Sequence, residues 1–199
     1  MDRDTAFEMA QSTMRFGSGI TREVGMDLKD RGLRRVMVLT DPALRDLAPV
    51  QTALRAMDRE GVEYAIYDGV RVEPTDTSFR EAIAFAQEDT FDGFVAIGGG
   101  STIDTAKVAN LYTSYPAKFL HYVNAPIGEG QSVPGPTKPL IAIPTTAGTG
   151  SETTGVAIFD YVEMQAKTGI AHRYLKPTLG LVDPDNTRSM PASVAAATG

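Results

Sequence analysis

The chain has 199 residues, enough for an α/β domain with its own core, and 42% of them are hydrophobic. Nineteen lysines and arginines face 25 aspartates and glutamates, giving a formal net charge of −6 without a basic block, so nucleic acids and anionic membranes are poor candidates for partners. The absence of cysteine excludes disulfides, iron–sulfur clusters and thiol nucleophiles, and no apolar run reaches the roughly 18 residues of a membrane helix. Because residues 1–11 are acidic, we expect no targeting peptide and a cytoplasmic location.

Short apolar runs alternate with segments of helical periodicity through the first half of the chain. Gly32, Pro42 and Gly69 stand after these segments, where glycine and proline end regular structure. The alternation predicts an α/β fold with a doubly wound, mainly parallel sheet of the Rossmann-like type. The predicted strands cover residues 35–40, 62–67, 94–98, 140–143 and 178–182, and the predicted helices cover residues 21–31, 47–57 and 79–88 and begin again after residue 100.

The second half of the chain is less regular. Residues 115–139 contain five prolines and three glycines, which predicts a long loop running over the surface, with a functional lid as the alternative. Residues 156–160 and 166–170 are predicted to pair as a hairpin. The alanine-rich residues 191–198 begin a helix with proline in its first turn, and we expect further structure to follow it.

Three glycines end the third predicted strand. Gly98, Gly99 and Gly100, followed by Ser101, have no Cβ that would keep a ligand from the main chain. The next helix offers unpaired N–H groups and the positive end of its dipole, which suit a phosphate. The alternative is a tight turn that requires only positive φ angles. Asp104 is expected in the first turn of this helix, as a cap or as a neighbour of a cofactor.

A second glycine-containing loop follows the fourth strand. Since ligands gather beyond the carboxyl ends of parallel strands, both loops should lie at one edge of the sheet. Hydroxyl groups of the second loop can donate to phosphate or ribose oxygens, whereas the alternative is a flexible linker rich in turn formers. These hydroxyls belong to Thr145, Thr146, Thr149 and Ser151, and the glycines between them are Gly148 and Gly150.

Asp41 ends the first strand at the same edge. Its carboxylate can accept both hydroxyls of an adenine ribose and would repel a 2′-phosphate, which favours NAD over NADP, although Asp before Pro is equally a common turn residue. The usual fingerprint has its glycines after the first strand and its acid later, the reverse of the order here. A Walker A loop is excluded, because no Gly-Lys-Ser/Thr follows the glycines. Dinucleotide binding by an unusual topology remains.

Several segments resemble the iron-containing (group III) alcohol dehydrogenase family. They are GGGSTIDTAK at 98–107, PTTAGTGSE at 144–152, Lys167 and VDPDNTRSMPASVAAATG at 182–199. Within that family, four further segments look most like the hydroxyacid-oxoacid transhydrogenases. These are VRVEPTD at 70–76, VNAPIG at 123–128, SETTGVAIFDY at 151–161 and KPTLGLVDP at 176–184.

The resemblance implies two domains: an NAD-binding α/β domain of the dehydroquinate synthase type over residues 1–188, and an all-helical metal-binding domain whose first turns are residues 189–199. It assigns Asp41 to the adenine ribose, and residues 98–101 to the pyrophosphate. The family's metal-binding Asp and three His would all follow Gly199, so a divalent metal, Fe or Zn, is expected only in a longer protein. The remaining implied contacts are Thr145, Thr146 and Thr149 with phosphates and ribose, and Lys167 with the nicotinamide-side ribose.

The activity implied by the resemblance is hydride transfer between a hydroxyacid or alcohol and an oxoacid or aldehyde, as with 4-hydroxybutyrate and 2-oxoglutarate. The 199-residue chain alone is expected to be inactive, to include no catalytic residue, and to belong to a homodimer. Two alternatives stay open: a dehydrogenase of simple alcohols, and a nucleotide-binding module completed by a partner subunit. A dehydroquinate synthase-like lyase is disfavoured, because the second loop and the C-terminal motif match the dehydrogenases.

Overall fold

The computed structural model describes residues 13–188 and 190–198. Eight strands occur in these ranges, six in one sheet and two in a separate hairpin. The strands are β1 (Met14–Phe16), β2 (Arg35–Leu39), β3 (Glu63–Tyr67), β4 (Gly93–Gly98), β5 (Leu140–Pro144), β6 (Val156–Tyr161), β7 (Ala166–Ala171) and β8 (Leu179–Val182).

The helices follow the predicted alternation. A 3₁₀ turn over Ile20–Glu23 precedes α1, so the first predicted helix is divided into two parts. None of the helices within the described ranges has the length and hydropathy that a membrane crossing requires. The α-helices are α1 (Val24–Asp30), α2 (Ala48–Glu60), α3 (Asp76–Gln87), α4 (Gly100–Ser114) and α5 (Ala192–Thr198), and further 3₁₀ turns cover Phe119–His121, Arg173–Leu175 and Pro184–Thr187.

The six strands of the sheet are all parallel and are arranged in the order β1-β8-β5-β4-β2-β3. The doubly wound parallel sheet expected from the sequence is confirmed, with β1 as an additional edge strand. The chain moves outward from β2 to β3 on one side and from β4 to β5 on the other. The direction of winding therefore reverses between β2 and β4, and the crevice beyond such a reversal is where open α/β sheets bind ligands.

Alternating side chains on the strands build one hydrophobic layer on each side of the sheet. On β2, Val36 and Val38 pack in a cluster with α1 and α2, whereas Met37 and Leu39 pack in a second cluster with α3 and α4. This alternation is the period of two that a strand imposes on its side chains. Because both faces are covered, the central strands β4 and β5 are apolar and buried along their whole length, as parallel sheets require.

The helix α4 is buried on almost every side. Its residues from Thr102 to Tyr112 are buried, since the sheet lies on one side and the β6–β7 hairpin on the other. The loop over residues 115–139 was expected on the surface, but its Phe119 and Tyr122 are buried in a third cluster beside α4 and β6. The prediction was wrong in this respect, because burying these aromatic rings offsets the cost of ordering an irregular segment.

Candidate functional site

A cavity of about 450 Å³ lies beyond the carboxyl ends of β2, β4 and β5. It occupies the place where the winding of the sheet reverses, and both glycine-containing loops line it, as the sequence predicts. Its polar lining is Asp41, Gly99, Gly100, Ser101, Thr102, Thr145, Thr146 and Thr149. Its apolar lining is Ala43, Leu44, Leu47, Val70, Val72, Met190, Pro191 and Val194.

The start of α4 points into this cavity. Gly99 is the N-cap residue and no side chain caps the helix. The carbonyl of Gly99 accepts hydrogen bonds from Thr102 N–H at 3.0 Å and Ile103 N–H at 3.1 Å. Within residues 13–188 and 190–198 no hydrogen bond engages the N–H groups of Gly100 and Ser101. Two unpaired donors at the positive end of a helix form an anion site.

Residues 98–101 are called the phosphate loop below. Close packing leaves little room for a side chain at its glycines. None of them has a positive φ angle, so the alternative of a turn that needs only that conformation is wrong. A Cβ on Gly98 would lie 2.3 Å from Oγ1 of Thr102, and a Cβ on Gly99 would lie 3.2 Å from Oγ1 of Thr146. The loop therefore packs closely against its own helix and against the second loop.

Residues 145–151, called the hydroxyl loop below, begin directly at the end of β5. Thr145 N–H donates to the Gly98 carbonyl at 3.0 Å, which joins the two loops. Gly148 and Gly150 have φ angles of 117° and 64°, in the region that favours glycine. The hydroxyl loop therefore has a defined turn and is joined to the phosphate loop at its beginning.

Ser151 is the one predicted hydroxyl of this loop that does not line the cavity. Its side chain is buried, and its Oγ would lie 3.2 Å from a Cβ placed on Gly100. Ser151 therefore packs behind the phosphate loop, and a direct contact with a phosphate stays a prediction.

Asp41 follows β2 and lines the cavity. Its Oδ1 accepts hydrogen bonds from Ala43 N–H at 2.9 Å and Leu44 N–H at 3.0 Å, which is an Asx turn. Over the described residues no hydrogen bond reaches Oδ2. The turn and the ribose interpretations are therefore compatible, because one oxygen serves the turn and the other remains available as an acceptor.

The segment after β3 closes another side of the cavity. Glu73 N–H donates to Oγ of Ser101 at 3.3 Å, and Glu73 itself has a φ of 54°. Val70 and Val72 line the cavity from this segment, and 80% of the Val72 surface is exposed to solvent. An exposed valine beside a polar cleft is the kind of apolar surface that a flat ring can cover.

Asp104 does not line the cavity. The prediction of a first-turn carboxylate was wrong, because Gly100 is already helical and Asp104 lies in the second turn of α4. Its buried carboxylate accepts hydrogen bonds from Lys107 Nζ at 3.1 Å and from Ile158 N–H at 3.1 Å. The side chain therefore holds the hairpin against the helix.

Lys167 lies on β7 and does not line the cavity beside α4. It borders a second, open cavity of about 420 Å³ together with residues 124–127 and Ile158. Its ammonium lies 3.3 Å from Oδ1 of Asp160 on the neighbouring strand, and the lysine side chain is 61% exposed. The structure therefore does not bring Lys167 into the first cavity, and its contact with a ribose stays a prediction.

The apolar wall of the first cavity was missed from the sequence. Leu47 begins a predicted helix, yet its side chain is exposed at the start of α2. Met190, Pro191 and Val194 reach the cavity from the far end of the described chain. A local pattern offers no signal for such long-range contacts, although the apolar residues before Glu73 could have indicated an exposed ligand-facing surface.

His, Asp and Glu are the side chains that could hold a metal ion, and both histidines have contacts of their own. Among the residues that the structure describes, no group of three or more His, Asp or Glu side chains is arranged to hold a metal ion. Nδ1 of His121 lies 2.8 Å from Oε2 of Glu129, and Nδ1 of His172 accepts a hydrogen bond from Tyr174 N–H at 3.3 Å. Burial, together with the charge of Arg173, lowers the pKa of His172.

A protein-family model described as iron-containing alcohol dehydrogenase matches residues 11–184. Curated relatives include the mitochondrial hydroxyacid-oxoacid transhydrogenase of Bos taurus, 60% identical over 197 residues, and the probable mitochondrial hydroxyacid-oxoacid transhydrogenase of Dictyostelium discoideum, 53% identical over 209 residues. Both alignments cover 98% of this chain but only 42% and 38% of the relatives. The chain thus spans less than half the length of these proteins.

Solved structures agree with the fold. The sulfoacetaldehyde reductase of Bifidobacterium kashiwanohense, crystallised with NAD⁺, is 28% identical with a TM-score of 0.86, and the match covers 98% of this chain and 50% of that protein. The iron-containing alcohol dehydrogenase of Thermococcus thioreducens is 26% identical with a TM-score of 0.87, covering 96% and 50%. The family resemblance read from the sequence is confirmed.

Proposed function

We propose that this chain, which belongs to the iron-containing alcohol dehydrogenase family, is the NAD(H)-binding half of a metal-dependent oxidoreductase. The observation that carries the proposal is the cavity itself. Two unpaired N–H groups of α4, three threonines of the hydroxyl loop and an available carboxylate oxygen of Asp41 meet there.

The residues present suit a dinucleotide in four ways. The N–H groups of Gly100 and Ser101 would donate to a pyrophosphate, whose charge the helix dipole also favours. Oδ2 of Asp41 would accept the hydroxyls of the adenine ribose and would repel a 2′-phosphate. The apolar wall would cover the adenine ring, since stacking on such a surface removes it from water. Hydroxyl donors would come from Thr145, Thr146 and Thr149.

Bound NAD would supply a hydride acceptor at its nicotinamide ring. The residues of this chain would hold the dinucleotide and orient it, with Lys167 proposed for the nicotinamide-side ribose. The described residues do not suit a divalent metal, so an Fe or Zn ion belongs to the proposed longer protein. In that proposal residues 1–188 are the NAD-binding domain, and residues 189–199 begin a helical metal-binding domain.

The proposed reaction is hydride transfer between a hydroxyacid and an oxoacid of the 4-hydroxybutyrate and 2-oxoglutarate type. Its support is the 53–60% identity to proteins named hydroxyacid-oxoacid transhydrogenases. In the longer protein, deuterium at C4 of labelled 4-hydroxybutyrate should appear at C2 of the 2-hydroxyacid formed from 2-oxoglutarate, without added NAD. Steady release of NADH with a simple alcohol instead would favour the alcohol dehydrogenase alternative.

A homodimer and a cytoplasmic location also stay proposals. The names of the curated relatives include the word mitochondrial, which leaves the compartment to experiment. Cell fractionation with an antibody to this chain decides the compartment, and sedimentation equilibrium decides the number of subunits.

The test of cofactor binding is a fluorescence titration of the 199-residue chain with NADH. We expect saturable binding, and we expect NADPH to bind at least about tenfold more weakly because of its 2′-phosphate. AMP should compete with NADH, since it occupies the adenosine side alone. An absence of saturable NADH binding by the folded chain contradicts the proposal.

A further inference from the structure

A buried ion pair in α4 lies behind the cavity. The Lys107 side chain is 0% exposed, and its Nζ donates to Asp104 Oδ1 at 3.1 Å, to Val156 O at 2.7 Å and to Thr154 Oγ1 at 3.4 Å. An ammonium group has three donors, so each has a partner. The second oxygen of Asp104 accepts from Ile158 N–H at 3.1 Å. The pair thus connects the first half of α4 to the start of β6.

The segment that this pair holds comes directly after the hydroxyl loop. Thr154 and Val156 follow residues 145–151 by only a few positions along the chain. The loop is joined at its beginning to the Gly98 carbonyl, and its middle packs against Gly99 and Gly100. Lys107 therefore holds the end of a loop whose beginning is already joined to the strand before α4.

Stability alone is a weak reason for this arrangement. Removing an ammonium and a carboxylate from water is costly, and well-packed apolar residues often replace a buried pair without loss of stability. What the pair does supply is a defined geometry, because two hydrogen bonds of Lys107 and one of Asp104 join the segment to the helix. Burial lowers the pKa of Lys107, and the charges of Asp104 and Glu152 act in the opposite sense.

We propose that Asp104 and Lys107 are positioning residues, which hold the threonine hydroxyls of the hydroxyl loop at a fixed place relative to the N–H groups at the start of α4. The inference rests on the proposed NAD(H) site. Neither side chain lines the cavity, so the pair acts through the loop and does not touch the cofactor.

The test compares the wild-type chain with Lys107→Met and with the double variant Asp104→Asn/Lys107→Met. In the double variant no unpaired charge is left buried, and the amide oxygen of the introduced asparagine can still accept the hydrogen bond of Ile158. Lys138→Met is the matched control, because Lys138 Nζ also donates to a carbonyl, Phe91 O at 2.7 Å, at the opposite end of the sheet. NADH affinity, thermal unfolding and hydrogen exchange of residues 145–153 are measured for all four proteins.

We expect the folded double variant to bind NADH about tenfold or more weakly, because a misplaced group loses much of its interaction. Exchange should accelerate in residues 145–153 while the amides of α1 and α2 keep their protection, and Lys138→Met should match the wild type. An unchanged NADH affinity with unchanged exchange overturns the proposal, as does a loss of folding in both variants, which makes the role structural. If the wild type does not bind NADH, the proposed function fails, whereas the exchange result still tests the positioning.

Discussion

Oγ1 of Thr102 lies only 2.3 Å from the place that a Cβ on Gly98 would occupy. Real Cβ atoms do not approach a neighbour this closely, and Thr102 is buried, so it has little room to move. The end of β4 and the first turn of α4 therefore pack against each other as one unit. The two N–H groups that face the cavity belong to this unit.

The substitution Gly98→Ala tests this packing. We expect it to lower the free energy of unfolding by about 1–3 kcal/mol, the usual cost of forcing an extra methyl group into a packed site. Urea denaturation measures the effect. Gly17→Ala is the control, because nothing lies within 4 Å of a Cβ there, and its effect should stay below about 1 kcal/mol. Equal stability of both variants would contradict the packing argument.

Asp41→Asn tests the selectivity for NAD. Asparagine can keep the Asx turn to Ala43 and Leu44, because its Oδ1 still accepts, but it removes the negative charge. We expect the ratio of NADPH to NADH affinity to rise about tenfold, equivalent to roughly 1.4 kcal/mol. Competition titrations of the two nucleotides measure it. Asp46→Asn, an exposed carboxylate that does not line the cavity, should leave the ratio unchanged.

Asp183→Asn tests a buried carboxylate that joins the end of β8 to the turn before α1. It accepts from Gly19 N–H at 3.0 Å, Thr21 N–H at 3.1 Å and the Thr21 hydroxyl at 2.8 Å. Burial acts to raise the pKa of Asp183, but these hydrogen bonds outweigh it and hold the pKa below the ordinary value. We expect a loss of about 1.5–3 kcal/mol in unfolding free energy at pH 7.

The destabilisation caused by Asp183→Asn should depend on pH. Because the pKa of Asp183 is lower in the folded state, its stabilisation is complete above the unfolded-state pKa of about 4 and disappears as the pH falls through the folded-state value. The difference between wild type and variant should therefore shrink below about pH 4. Denaturation curves at neutral and acidic pH measure it. A difference that stays constant into acid would rule out the charged carboxylate as its source.

Lys167→Met tests the proposed ribose contact. The ion pair with Asp160 is exposed on both sides, so its loss should hardly change stability. If Lys167 donates to the nicotinamide-side ribose, NADH affinity should fall by roughly tenfold while AMP affinity stays the same. Lys29→Met is the control, since Lys29 is also exposed and paired, with Glu60 at 2.9 Å. Wild-type NADH affinity in Lys167→Met would remove the residue from the site.

Chelation tests the separation of cofactor and metal sites. We expect the NADH affinity of the 199-residue chain to be the same with and without EDTA, because the described part of the chain has no group of three suitable ligands. Titration calorimetry with Zn²⁺ should show no tight binding. A chelator-sensitive NADH affinity would mean that a metal participates in this half of the protein.

Several elements could be predicted because their causes are local. The apolar run before Gly98 and the threonines after Pro144 are visible in the sequence, and parallel strands must bring both loops to one edge of the sheet. The edge strand β1 was not predicted, because it has three residues and pairs with β8, which lies far along the chain. Asp104 was placed one turn too early, because a helix boundary read from sequence shifts by a residue or two.

By itself, the sequence determined the alternation of strands and helices, the glycines and hydroxyls of the two loops, and the carboxylate after β2. These follow from backbone sterics and from side-chain periodicity, which act over a few residues. Only the tertiary structure decided that Asp104 turns inward to Lys107, that Lys167 borders a different cavity, and that Met190 reaches the first one. Such contacts depend on how distant segments pack, and the residues next to them in the sequence do not specify that packing.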